Sequence, residues 1–411
     1  MRWSRRAAIP TLSRRTSRGL TSGSFPTTPC GVHPLIDVSP LLEPSAAAPL
    51  DGAVQQMGAA LREVGWFYAA GVSMLPPDYI RGIYAYLGRA HALTAAEKYK
   101  YRQRGGLGSY SGPDVGEPEL NYDAGASRAT VRGWDYSRSR FSLGDAGGVS
   151  LAERYPPAAV LSPPFAPTMD ELYERQDLLG RALMRGLEAA LALPAETLVG
   201  QFDGGDFGTI RLLHYPAVGA PGGGAATGAA GNDGAVGGDG AAGRDGGAAL
   251  EHGISPHTDF EVFTLMHQDA PGLQFLRRAA GGDGHAEGWV DAPVRPSEFV
   301  VTVGDCLERL TNGLLLATPH RVTYAPHIQR NSIVRFNAFR PEAVVRPLPQ
   351  FVTGARPAAY SPVRMSTHME TTMRNLACGV GSWDPFRQRS ASASYDYGQH
   401  GRGGAEEELG A

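Results

Sequence analysis

The 411-residue sequence predicts a mainly β protein with flanking helices, and two patterns carry that prediction. After residue 206 the chain breaks into seven short runs rich in branched and aromatic residues: "FGTIRLLHYP", "SPHTDFEVFTLMHQD", "GLQFLRR", "GWVDAPV", "EFVVTVGD", "HRVTYAP" and "RNSIVRFNAF". Gly, Pro, Asp and Asn separate them, and many short strands so punctuated build a sandwich, a barrel or a jelly roll. Before that point, and again around "STHMETTMRNL", apolar residues recur at helical intervals instead.

The elements follow in order. "PLIDVS" is a short strand bounded by Pro, and "GAVQQMGAALREVGWFYAAGV" is a helix that passes into an aromatic strand. "PPDYIRGIYAYLGRAHAL" is an amphipathic helix opened by Pro. "TAAEKYKYR" sets Thr94 three residues before Glu97, a capping-box pattern. Residues 103–166 are rich in Gly, Pro and Ser and are expected to form long loops. "TMDELYERQDLLGRALMRGLEAALAL" carries the strongest helical signal: Thr168 and Glu171 repeat the capping-box pattern, and Leu172, Leu179, Leu183 and Leu187 form one apolar stripe.

Composition narrows the function classes. The chain is 42% hydrophobic, enough for a sizeable core, and its net charge of −3 gives no electrostatic footprint for nucleic acid. No charge-free apolar run is long enough to span a membrane. Cys30, Cys306 and Cys378 are far apart and form no CxxC, so neither a zinc ribbon nor a disulfide framework is indicated, and a reducing compartment is the simplest setting. Six arginines and no acid precede Asp37, and Ser and Thr fill the intervals, the composition of an organelle transit peptide. A chloroplast or mitochondrial location is expected, with the cytoplasm as the alternative if this stretch is only a basic tail. Residues 219–249 are almost entirely Gly and Ala and are expected to be a low-complexity insertion, because such a tract cannot bury enough apolar surface to offset its ordering entropy. Asp233, Asp239 and Asp245 weakly resemble a calcium-binding repeat, but a single tract without branched apolar positions cannot stack into a core.

The chemistry centres on "SPHTDFEVFTL". The run reads as a strand, so His257 and Asp259 share a face while Phe260, Val262 and Thr264 take the other. One imidazole and one carboxylate supply two metal ligands, and "ATPHRVTYAP" offers a third in His320. Two histidines and one carboxylate leave three coordination positions open, the ligand set of non-haem Fe(II) oxygenases. A closed zinc site would need more Cys or His than this region offers. In "RNSIVRF", Arg330 and Ser332 alternate onto one face, and a guanidinium beside a hydroxyl suits a carboxylate. Tyr215, at the end of "RLLHYP", could donate a further hydrogen bond to it. His214, His252, His267 and His327 are read as packing or surface residues.

With those residues in place, the sequence resembles the isopenicillin N synthase-like family of Fe(II)/2-oxoglutarate-dependent dioxygenases across residues 33–376, apart from the insertion. "PLIDVSPLL" and "REVGWFYAAGV" are similar to its N-terminal region. "RLLHYP", "HTDFEVFTLMHQDAPGLQFL", "GWVDAPVRPSEFVVTVGDCLERLTNGLLLATPHRV" and "RNSIVRFNAFRP" are similar to its catalytic domain. The resemblance implies a double-stranded β-helix, iron held by His257, Asp259 and His320, the 2-oxoglutarate carboxylate held by Arg330 and Ser332, and an assisting role for Tyr215. It implies oxidation of a small organic molecule, by hydroxylation or desaturation, with O2 consumed, succinate and CO2 released, and ascorbate as reductant. The alternatives are an oxidase of the same family that does not use 2-oxoglutarate, and a non-catalytic jelly-roll binding protein. Two departures stand out: Ala70-Gly71 replaces the family's usual His-Gly, and the insertion replaces a short loop. The implied organisation is a leader over 1–32, a helical region over 33–200, the jelly roll over 201–343, a C-terminal helix or lid over 344–385, and a disordered tail over 386–411. A monomer acting on a small-molecule substrate is expected, with no nucleic-acid or membrane partner. The loops at 103–166 and the C-terminal helix are expected to set specificity.

Overall fold

The computed structural model describes residues 33–43, 50–103, 109–117, 131–138, 154–202, 208–217, 251–278, 286–324, 327–377, 383–384 and 389–390. The Arg-rich leader, the Gly/Ala-rich insertion and most of the polar tail lie outside the described residues.

The chain opens with β1 (Leu35–Asp37), the single turn α1 (Ser39–Leu42), α2 (Leu50–Glu63) and β2 (Trp66–Ala70). Met57, Ala60 and Leu61 of α2 are buried. Gly65, at a φ of +86°, lets the backbone reverse between α2 and β2. α3 (Pro77–His91) starts at its proline, and α4 (Ala95–Lys100) carries the expected capping box, with Thr94 and Glu97 bonded reciprocally. Within the span expected to be loops, two strands form, β3 (Tyr110–Ser111) and β4 (Arg132–Ser137). Their aromatic residues explain this: the Tyr110 and Trp134 rings lie 4.7 Å apart and both are fully buried.

α5 (Phe165–Ala190) starts four residues earlier than the Thr168 capping pattern suggests. Pro164 precedes its first turn, and the Thr168 hydroxyl donates to the Pro164 carbonyl at 2.9 Å instead of capping. Glu171 is drawn to Arg175 at 2.8 Å. The leucine stripe behaves as expected, with Leu172, Leu179, Leu183 and Leu187 all buried, each contributing roughly 1.5–3 kcal/mol of burial.

The remaining elements are β5 (Thr209–Tyr215), β6 (Glu251–His257), β7 (Phe263–Gln268), β8 (Leu273–Arg278), β9 (Ala286–Asp291), β10 (Phe299–Val303), α6 (Asp305–Leu310), β11 (His320–Tyr324), β12 (Arg330–Asn337) and α7 (Met365–Ala377). They form an eight-stranded sheet in the order β1-β2-β10-β7-β12-β5-β4-β3 and a four-stranded sheet in the order β6-β11-β8-β9. Pairing is antiparallel except between β1 and β2. Four strands of the large sheet come from before residue 201, so the N-terminal region and the jelly roll share one sheet.

The large sheet is apolar on both faces. One face packs Leu212, Phe263, Leu265 and Ile333 against the α5 stripe. The other presents Trp66, Leu213, Met266 and Val334 to Leu273, Phe275 and Val322 of the small sheet. The double-stranded β-helix is therefore a two-sheet barrel with helices on its outside, and its interior houses the candidate site.

Candidate metal and co-substrate site

His257 is the last residue of β6 and His320 the first of β11, and the two are register partners with ring centroids 4.2 Å apart. Asp259 arrives differently from the sequence-based expectation. "SPHTDFEVFTL" is not one strand: β6 ends at His257, and β7 begins at Phe263. The turn between them gives its carbonyls to the start of α6 rather than to a strand. Asp305 N donates to Asp259 O at 2.8 Å, Cys306 N to Glu261 O at 3.1 Å and Gly304 N to Val262 O at 3.0 Å. A Cβ at Gly304 would lie 2.3 Å from Glu261 O, so only glycine permits this approach. Thr264, expected on the far face, instead donates its hydroxyl to Asp259 Oδ2 at 2.5 Å.

The imidazoles are oriented by backbone. His257 Nδ1 lies 2.8 Å from Ser255 O, and His320 Nδ1 lies 3.0 Å from Thr318 O. A carbonyl only accepts, so each Nδ1 carries the proton and each Nε2 offers its lone pair. The two Nε2 atoms lie 3.7 and 3.6 Å from Asp259 Oδ1. Those separations are too long for hydrogen bonds and suit one ion bonded to all three at about 2 Å. The three residues are buried, and their ligand-capable atoms lie within 4.8 Å of one another. Burial first, then the neighbouring His320 imidazole, hold the pKa of His257 well below the ordinary imidazole value, which keeps the lone pair available. The donor set fits a first-row divalent ion with open coordination positions.

The same cavity, about 720 Å³ counted to its open mouth, reaches Arg330, Ser332 and Tyr215. Arg330 begins β12 opposite Tyr215 and is 2% exposed. Its Nη2 donates to Gln268 Oε1 at 3.0 Å, its Nη1 lies 3.5 Å from Ser332 Oγ, and its guanidinium stands 4.8 Å from the centre of the Tyr215 ring. Among the described residues no carboxylate pairs with it at 4.0 Å or less. A buried cation without an anion is costly, and a carboxylate ligand between Arg330 and Ser332 relieves that cost.

All six sequence-predicted site residues therefore line one cavity. Sequence reasoning gave no role to Thr264, which bonds Asp259, or to Gln268 and Arg211, which line the cavity. Strand alternation was the available signal: Thr264 and Gln268 flank Met266 in β7, and Arg211 lies two and four residues before Leu213 and Tyr215 in β5. His267 and His214 serve packing as expected, with Nδ1 of one 2.8 Å from the Tyr84 hydroxyl and Nδ1 of the other 2.7 Å from Asn331 Oδ1.

Comparison with known proteins agrees with this geometry. The family model described as the 2OG-Fe(II) oxygenase superfamily matches residues 243–338. The chain is 28% identical over 334 residues to a Glycine max homoarginine-6-hydroxylase, covering 78% of this chain and 90% of that one. It is 30% identical over 237 residues to the gibberellin 20 oxidase 3 of Oryza sativa subsp. japonica, covering 56% of each. In fold it is similar to the crystal structure of the rice dioxygenase for auxin oxidation, with a TM-score of 0.57 at 20% identity over 87% of this chain and 100% of that one. With residues 243–338 matching the 2OG-Fe(II) oxygenase superfamily, the chain is a 2-oxoglutarate- and Fe(II)-dependent dioxygenase of small organic molecules.

Proposed function

We propose that His257, Asp259 and His320 hold the iron, and that Arg330, Ser332 and Tyr215 hold the far carboxylate of 2-oxoglutarate. The observation that carries this is the buried Arg330, with no carboxylate partner among the described residues, set in the same cavity as three converging ligand groups. Bound Fe(II), 2-oxoglutarate and O2 would supply the oxidising power, with succinate and CO2 released and a C–H bond of the substrate hydroxylated or desaturated. The chain's own part is positional. Arg330 meets the carboxylate with a planar fork, Ser332 adds a hydroxyl, and the Tyr215 phenol lies close enough to add another. Thr264 fixes the Asp259 carboxylate by bonding Oδ2, which leaves Oδ1 turned to the imidazoles. Leu213, Met266, Val300, Val322 and Val334 line the walls and keep water out of the space between the two polar ends.

The test is metal binding and turnover in two variants. His257→Ala and Asp259→Ala are each expected to lose Fe(II) binding and 2-oxoglutarate-dependent succinate formation. Fe(II) bound at unaltered affinity by either variant places the metal elsewhere.

A further inference from the structure

Two arginines reach the interior of this cavity, and their situations differ. Arg330 stands at one end, opposite Tyr215. Arg211 stands on the same strand as Tyr215 and pairs with Val334, roughly 13 Å along the strand from the Arg330 end. Its guanidinium is 6.0 Å from the Phe336 ring, and Phe336 is the register partner of Thr264, the residue that holds Asp259. Arg211 therefore lies at the level of the metal ligands, on the side away from the co-substrate anchor.

Among the described residues Arg330 has no carboxylate, whereas Arg211 has one already. Arg211 Nε donates to Asp135 Oδ1 and Nη2 to Asp135 Oδ2, both at 2.8 Å, and the Gln103 amide fastens Asp135 Oδ2 from behind at 2.9 Å. The pair is bidentate, and Asp135 is only 13% exposed. With the site loaded as proposed above, Fe(II) and Arg330 balance Asp259 and the dianionic co-substrate, and Arg211 balances Asp135. No positive charge is left over. A substrate carboxylate placed on Arg211 would share the guanidinium with Asp135, a like charge in a low-dielectric cavity.

We infer that Arg211, fixed by Asp135, is the substrate-orienting donor of this enzyme, and that the group it receives is a neutral acceptor — a carbonyl, amide or ring nitrogen on a largely apolar molecule — rather than a carboxylate. This rests on the assignment of the carboxylate of 2-oxoglutarate to Arg330. Asp135 is a positioning residue: it sets the plane of the guanidinium and removes its net charge. Retaining Asp135 selects against acids that would otherwise fit the same space.

The experiment uses the full chain with Fe(II) and 2-oxoglutarate under anaerobic conditions, and the isosteric probes benzamide and benzoate, with binding read by calorimetry. The unaltered enzyme is expected to bind benzamide more tightly than benzoate. Asp135→Asn leaves Arg211 as an uncompensated cation and is expected to raise benzoate affinity by about tenfold or more, and adding Arg211→Gln to it is expected to remove that gain. Benzoate bound as tightly as benzamide by the unaltered enzyme, or benzoate affinity unchanged in Asp135→Asn, overturns the inference. The visible charge-transfer band of the Fe(II)–2-oxoglutarate chelate, recorded on the same samples, separates the two levels. Its absence from the unaltered enzyme removes the assignment on which the inference rests, and its presence with a failed probe comparison removes the inference alone.

Discussion

At the residue scale, each of the three proposed metal ligands is fixed by one protein partner. Asp259 is held by Thr264, and each histidine by a carbonyl two residues before it in sequence. Removing such an outer partner while keeping the ligand should weaken the metal without abolishing it. Thr264→Val is expected to lower Fe(II) affinity by about 10–100-fold, measured by competition with a calibrated chelator; affinity equal to that of the unaltered chain would show that Asp259 needs no such support. These residues were legible to different degrees. His257, Asp259, His320, Arg330, Ser332 and Tyr215 could be found because their types and order match a known chemistry. Thr264 and Gln268 were within reach only through strand alternation beside Met266, since residue type alone does not tell a threonine or glutamine at a metal site from one facing solvent.

At the element scale, the decisive feature is the turn between β6 and β7, packed on the first residues of α6. Here the structure brings the expected residues together, but through a different geometry. Alternation along one strand was expected to place His257 and Asp259 together, but the chain leaves the ladder after His257, and the backbone amides of α6 capture the turn. Periodicity could not reveal this, because α6 spans only six residues, too few to show a helical stripe. Gly304 is the pivot. Gly304→Ala is expected to cost about 1–3 kcal/mol by forcing the turn away and to weaken Fe(II) binding at the same time, read from the denaturation midpoint and the chelator competition together. A stability loss with Fe(II) affinity unchanged would separate the turn from the metal site. Gly65 plays a related part on the other side. The Thr318 hydroxyl donates to its carbonyl at 2.8 Å, and the Thr318 carbonyl in turn receives His320 Nδ1 at 3.0 Å.

At the scale of the whole molecule, the two-sheet barrel with outer helices was legible, because short branched runs and a long leucine stripe are direct consequences of what each face buries. The strands inside residues 103–166 were not, since Tyr110 is separated from Trp134 and Tyr136 by a stretch of loop composition. The fold also carries a proton-linked cost. His368 of α7 is buried, its Nε2 2.9 Å from the Phe260 carbonyl, and burial, then the Arg309 charge, hold its pKa down at about 4, against 6.5 for an unperturbed histidine. Between those two values the unfolded chain takes up a proton that the folded chain refuses, so stability falls as the pH drops from 6.5 towards 4, by about 3 kcal/mol across the window. His368→Gln keeps a donor for Phe260 but does not titrate, and should flatten this acid limb in urea titrations run at equal metal load. An unchanged slope would assign the limb to other groups.

The proposal stands on one buried arginine, without a carboxylate partner among the described residues, and three converging side chains that together make one site for iron and 2-oxoglutarate. Anaerobic titration with Fe(II) and 2-oxoglutarate, followed by the charge-transfer band of the chelate in the unaltered chain and in Arg330→Ala, tests it most directly. The account predicts the band in the first and a loss of at least about 2 kcal/mol of 2-oxoglutarate affinity in the second, the cost of removing a charged partner from a buried pair. A band that forms with equal affinity in both would contradict it, because the carboxylate would then be held by something other than Arg330.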